Sequence, residues 1–178
     1  MAEEATFMFK IVLGGAGGVG KTTLLHRFLH GTFLSDTSMT IGVSFQKKEV
    51  KHDSTSVVLS IWDLGGQDRF RFVQKQYCQG AKAGVVFFDL TRLDTMEQLK
   101  EWVDLYRSVT PAMPIILAGT KLDLMDDQEM LANANEYAKE TVEQLGLMSY
   151  FTTSSKTGEN VTEIFDLIID TLLQQVNH

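Results

Sequence analysis

The stretch Gly15-Ala16-Gly17-Gly18-Val19-Gly20-Lys21-Thr22 runs four glycines directly into a lysine and a hydroxyl. Its spacing fits G-x-x-x-x-G-K-[ST], a loop whose backbone N–H groups cradle phosphate oxygens. Glycine tolerates positive φ and lets a ligand approach the main chain closely. A helix opening at the end of such a loop adds a positive partial charge. Lys21 would reach the β- and γ-phosphates, the Thr22 hydroxyl would hold Mg²⁺, and Thr23 follows in the first helical turn. The competing reading is a glycine turn without ligand, and the Lys-Thr that follows weighs against it.

Three further groups could do chemistry. In Asp63-Leu64-Gly65-Gly66-Gln67 an acidic residue follows the apolar Leu59-Ser60-Ile61-Trp62. Asp63 suits a second Mg²⁺-linked position, Gly66 can offer an N–H to a γ-phosphate, and Gln67 can orient an attacking water. Taken alone, Asp63 reads as a helix or turn cap and Gln67 as a solvated loop residue; after a phosphate loop in the same sheet the functional reading outweighs both. In Thr120-Lys121-Leu122-Asp123-Leu124, Asp123 can accept from the N1–H and exocyclic amine of guanine, a donor pair adenine lacks. Sites built on such polar pairs reject the wrong ligand strongly. Lys121 can lay its stem along a base and brace the phosphate loop. Ser154-Ser155-Lys156 offers backbone N–H groups for the guanine carbonyl, although the same residues also read as ordinary turn chemistry.

These groups need a scaffold that gathers them. The apolar runs and the helical spacing of Met96, Leu99, Trp102, Val103 and Tyr106 predict alternating strands and helices. Strands are expected at 7–14, 43–52, 55–63, 84–90, 114–119 and 148–153. Helices are expected at 21–31, 70–79, 95–109, 129–145 and 159–176. The link between the second and third strands is too short for a crossover, so that pair is an antiparallel hairpin. The fold class is therefore α/β: a six-stranded, mostly parallel sheet with one antiparallel edge strand and helices on both faces. In such sheets ligands bind beyond the carboxyl ends of the strands, and every group above follows a strand.

The 178 residues fit a single domain, with 44% hydrophobic and 22% charged residues. A net charge of −7 without a basic block argues against a nucleic-acid partner. Cys78 is the single cysteine, so no internal disulfide forms, and a reducing, cytoplasmic compartment fits. No apolar run approaches the ~20 residues that span a bilayer. Residue 2 is Ala, so N-myristoylation is not expected, and no cysteine for prenylation lies in Gln175-Val176-Asn177-His178. Membrane attachment, peripheral at most, is expected only if a tail beyond His178 carries a lipid.

With these motifs in this order, the chain resembles the Ras superfamily of small GTPases, a P-loop NTPase fold, over essentially its whole length. Thr40-Ile41-Gly42-Val43-Ser44-Phe45 and Gly66-Gln67-Asp68-Arg69-Phe70-Arg71 are similar to switch I and switch II of the Rab branch. The resemblance implies that Thr40 ligates Mg²⁺ and senses the γ-phosphate, and that Phe33 stacks on guanine. Phe45, Trp62 and Tyr77 match the spacing of the Rab effector-facing aromatics, and plain core packing fits that spacing as well. Two departures stand out. Thr120 replaces the usual Asn, as in the Rho branch, and Asp63-Leu64-Gly65-Gly66-Gln67 looks more like Arf-type and septation GTPases. The family implies a monomeric GTP–GDP switch with an exchange factor, an activating protein and effectors, in membrane trafficking. The rivals are a P-loop kinase, for which no arginine-rich lid is seen, and a scaffold that binds nucleotide without hydrolysing it.

Overall fold

The computed structural model describes residues 4–35, 42–66 and 71–178. Six strands form one sheet: β1 (Thr6–Gly15), β2 (Val43–His52), β3 (Thr55–Leu64), β4 (Ala83–Asp89), β5 (Ile115–Thr120) and β6 (Ser149–Thr152). Their order across the sheet is β2-β3-β1-β4-β5-β6. Every neighbouring pair is parallel except β2 with β3. The helices are α1 (Lys21–His30), α2 (Arg71–Tyr77), α3 (Leu99–Val109), α4 (Gln128–Leu145) and α5 (Val161–Val176).

The side-chain alternation of the strands sorts the core into two layers. Ile11 and Leu13 of β1 and Val85 and Phe87 of β4 face α1 and α5, meeting Leu24, Phe28, Ile164 and Phe165. Val12, Val86 and Phe88 face the other way, onto Trp102 and Tyr106 of α3 and Ala134 and Ala138 of α4. Every residue of β4 and of β5 is buried, as two-sided cover demands. β2 is half exposed because it is the edge. The hairpin turn closes through Asp53 at φ 55°, with His52 paired to Thr55.

Helix ends follow local chemistry. Gly31 ends α1 at φ 71° and donates to Arg27 O. The Asp127 carboxylate accepts from the N–H groups of Glu129 and Met130 and starts α4. Gly146 ends α4 at φ 62°, and Arg107 of α3 donates to its carbonyl at 2.7 Å.

One expected element differs. The helix expected at 95–109 begins as a tight 3₁₀ stretch, Leu93–Gln98, before α3. The cause is Thr95, whose hydroxyl donates to Arg92 O at 2.6 Å and accepts from the Asp89 N–H at 2.8 Å. That side chain competes for main-chain groups and tightens the first turns. The consequence is functional, because it fixes the corner that follows β4.

Candidate functional site: a phosphate loop and a base pocket

The carboxyl ends of β1, β3, β5 and β6 open onto a cavity of about 630 Å³. Its lining includes Gly17, Gly18, Gly20, Lys21, Thr22 and Thr23 of the loop after β1, and Phe33 at the far side. Gly66 comes from the end of β3, while Thr120, Lys121, Asp123 and Leu124 follow β5. Ser155 and Lys156 follow β6. Five segments separated in sequence therefore converge on one space, with a volume suited to a small-molecule ligand.

The loop is shaped by its glycines. Gly18 and Gly20 hold φ of 75° and 97°, a region in which side chains are strained. Lys21 is 5% exposed and folds back, its Nζ 3.4 Å from both Gly15 O and Ala16 O. Gly15, Ala16 and Val19 do not line the cavity, and Val19 is fully buried.

Where the loop enters α1, the Thr22 hydroxyl donates to Asp63 Oδ2 at 2.6 Å, and Asp63 is fully buried. Two hard oxygen donors, one from α1 and one from β3, meet at the edge of a phosphate cradle. Among the described residues no group of three or more His, Cys, Asp or Glu gathers. That pattern fits Mg²⁺, which is held by one or two protein oxygens together with phosphate and water, and not by a protein cage. Gly66 is pressed against the loop. A Cβ there would sit 2.4 Å from Gly17 N and 2.7 Å from Gly15 O.

Beneath the base end, Thr120 ties strand to loop. Its hydroxyl lies 2.5 Å from Val19 O and 3.1 Å from Phe88 O. A hydroxyl thus performs at this position the bracing that a longer amide offers. Lys121 adopts the left-handed backbone, φ 65°, which aims its ammonium 3.2 Å from Gly18 O and 2.8 Å from Asp89 Oδ2. A non-glycine residue held in that region marks a site where surroundings dictate the backbone.

Asp89 and Arg92 were not legible as site residues. Asp89 is fully buried and receives Lys121, the Thr91 N–H and hydroxyl, and Arg92 Nε at 3.2 Å. Arg92 in turn donates to Gly18 O at 3.2 Å. Burial pushes the Asp89 carboxyl up, but the hydrogen bonds from Lys121, Thr91 and Arg92 outweigh it and hold the carboxyl below its ordinary 3.8. The one signal was an acidic residue ending an otherwise apolar strand.

Ser154 requires a correction. Its backbone N–H, expected among the donors to a base carbonyl, instead meets Glu159 O at 3.1 Å. Its buried hydroxyl donates to Asp123 Oδ1 at 2.8 Å, so Ser154 orients Asp123 from behind. Arg27 of α1 donates to Lys156 O and Thr157 O at 3.3 and 3.2 Å and fixes the same loop. Leu34 and Ser35 also line the cavity, next to the expected Phe33. Thr40 and Gln67 lie outside the described residues.

The sequence model of the Ras family matches residues 10–174. The chain belongs to the Ras family. It is a small GTPase, a GTP hydrolase, and Rab-named proteins align with nearly all of it. Human Rab-4B is 36% identical over 179 residues, covering 99% of this chain and 82% of that protein. Rab-5A of Dictyostelium discoideum is 40% identical over 161 residues, covering 89% and 78%. The GTP-binding protein ypt4 of Schizosaccharomyces pombe is 32% identical over 179 residues, covering 98% and 75%. In this GTPase the aromatics expected either as core or as surface form a contiguous patch. Ring centroids of Phe45 and Trp62 are 4.9 Å apart and those of Trp62 and Tyr77 5.7 Å. Phe45 is 43% exposed and Tyr77 39%, which places the patch at the surface.

Proposed function

We propose that this small GTPase is a two-state switch in membrane trafficking, slow by itself and accelerated by an activating protein. The observation that carries the reading is the convergence of the Lys21 loop, the Thr22–Asp63 pair and the Asp123–Ser154 pair on one cavity. Asp123, aimed by Ser154, accepts from the N1–H and amine of guanine. Phe33 covers one face of the base, with Leu124 at the rim. N–H groups of Ser155 and Lys156 serve the base carbonyl.

The Lys21 ammonium and the loop N–H groups take up charge on the β- and γ-oxygens as the terminal phosphoryl leaves. Thr22, Thr40 and Asp63 would hold Mg²⁺, which neutralises phosphate charge when bound. Gln67 orients the water that attacks in line. Gly31 to Thr40 contains no arginine, and Arg92 is committed to Asp89 and Gly18 O. An arginine from a partner then supplies the missing charge, worth roughly 10³–10⁵-fold. Thr40 and Gly66 release when the γ-phosphate is lost, and effectors at the Phe45–Trp62–Tyr77 patch read the difference.

Among the described residues no helix is long and apolar enough to cross a membrane. Peripheral attachment through a lipid or a partner is the mode proposed, from a cytoplasmic monomer. The test is single-turnover hydrolysis with and without an arginine-donating activator. Slow turnover that the activator raises, and that Gln67→Leu abolishes, supports the reading. Fast unassisted hydrolysis indifferent to Gln67→Leu contradicts it.

A further inference from the structure

Gly65 is a junction. Its N–H donates to Gly42 O at 2.6 Å, extending the β2–β3 ladder toward the end of switch I. Its carbonyl accepts from Gln74 Nε2 of α2. Gln74 is fully buried, and its other carboxamide atom, Oε1, has no hydrogen-bond partner among the described residues. The next residue, Gly66, lines the nucleotide cavity and lies against the phosphate loop.

We infer that Gln74 is a positioning residue that sets the plane of the Gly65–Gly66 peptide and so aims the N–H that meets the γ-phosphate. A peptide unit is planar and trans, so its C=O and N–H point in opposite directions. Gln74 holds the carbonyl of Gly65. The amide of Gly66 belongs to the same rigid plane and is thereby oriented too. Neither Gly65 nor Gly66 has a side chain to fix that plane by packing. The donor comes from α2, so the helix and the phosphate-sensing amide move as one body.

The buried Oε1 makes the device two-sided. An unpaired buried acceptor forfeits its hydration without return. The Gln74 side chain is therefore held by one hydrogen bond and opposed by one orphaned oxygen. When the γ-phosphate no longer engages the Gly66 amide, release of Gln74 rehydrates that oxygen. The inference rests on the proposed contact between Gly66 and the γ-phosphate.

The test compares the parent with Gln74→Met, which keeps the length and removes the donor, and with Gln76→Met, an exposed position on the same helix. Affinities for GDP and a non-hydrolysable GTP analogue are measured, with single-turnover hydrolysis. Gln74→Met should lower the GTP-over-GDP preference and the hydrolysis rate by about tenfold, the effect of one net hydrogen bond. Its GDP affinity and all values of Gln76→Met should stay at the parent's. Parity of Gln74→Met with the parent, where the parent prefers and hydrolyses GTP, overturns the inference alone. A parent that does neither overturns the site reading and the inference with it. A second readout uses the parent only. The Gln74 side-chain amide resonances should move between the GDP and GTP-analogue complexes, and their coincidence in both states overturns the inference even if Gln74→Met does not fold.

Discussion

Gly66 shows how one residue serves both structure and chemistry. Any Cβ there meets backbone atoms of Gly17, Ala16 and Gly15, and backbone cannot step aside as a flexible side chain can. Gly66→Ala should therefore displace either the phosphate loop or the end of β3. We expect single-turnover GTP hydrolysis to fall at least about tenfold, near 1.4 kcal/mol on the barrier. GDP binding should persist, because Asp123 and Lys121 follow another strand, β5. Undiminished hydrolysis by Gly66→Ala would remove Gly66 from the reacting region. At this scale the phosphate loop, Asp63 and Asp123 were legible because their chemistry demands fixed residue types at fixed spacing. Asp89, Arg92 and Gln74 were not. Arg92 and Gln74 act on main-chain carbonyls, at Gly18 and Gly65, and a carbonyl leaves no mark in the sequence; Asp89 acts by holding Lys121 and Arg92. Ser154 was misassigned for a related reason, since nothing in Ser-Ser-Lys tells whether the hydroxyl or the amide faces the ligand.

At the scale of elements, the apolar runs located all six strands and the five helices to within a few residues. Fully buried strands carry that signal strongly, because both faces must be apolar. The exception was the segment after β4, where Met96, Leu99, Trp102, Val103 and Tyr106 have helical spacing but the chain starts as 3₁₀. Thr95 caused that difference by bonding to main-chain groups, an effect that apolar periodicity does not record. Helix α4 offers a clean test of local chemistry. Asp127 accepts from two N–H groups at 3.0 and 3.2 Å, and the helix touches neither phosphate loop nor base pocket. Asp127→Ala should cost about 1 kcal/mol. In a chain of this size that lowers Tm by about 2–4 °C. GDP affinity should be unchanged, and thermal melts with and without nucleotide check both statements. A loss of affinity without a loss of Tm would mean that α4 is coupled to the site.

For the whole molecule, a net charge of −7 coexists with a locally cationic site. Lys21, Lys121 and Lys156 line the cavity, and Arg92 stands behind Gly18. Attraction for a nucleotide is thus built at one end of the sheet and not spread over the surface. Asp89 links that site to global stability. Its carboxyl sits below its usual 3.8, so it binds fewer protons folded than unfolded near that pH. Its stabilisation is therefore present above that usual value and is lost as pH falls through the lowered one. Urea unfolding should show Asp89→Asn weaker than the parent by about 1–2 kcal/mol at pH 7, less than a fully buried pair because Lys121 and Arg92 are partly exposed. The gap should narrow below about pH 4. A gap independent of pH would assign the effect to packing and not to charge.

The account rests on guanine being read at Asp123, and the nucleotide carried by the purified protein tests this most directly. The protein is denatured with Mg²⁺ kept present up to that point, and the released nucleotide is identified by ion exchange. The account predicts GDP or GTP at close to one per chain in the parent and loss of that guanine preference in Asp123→Ala. Adenine nucleotide in the parent, or none at all, would contradict it.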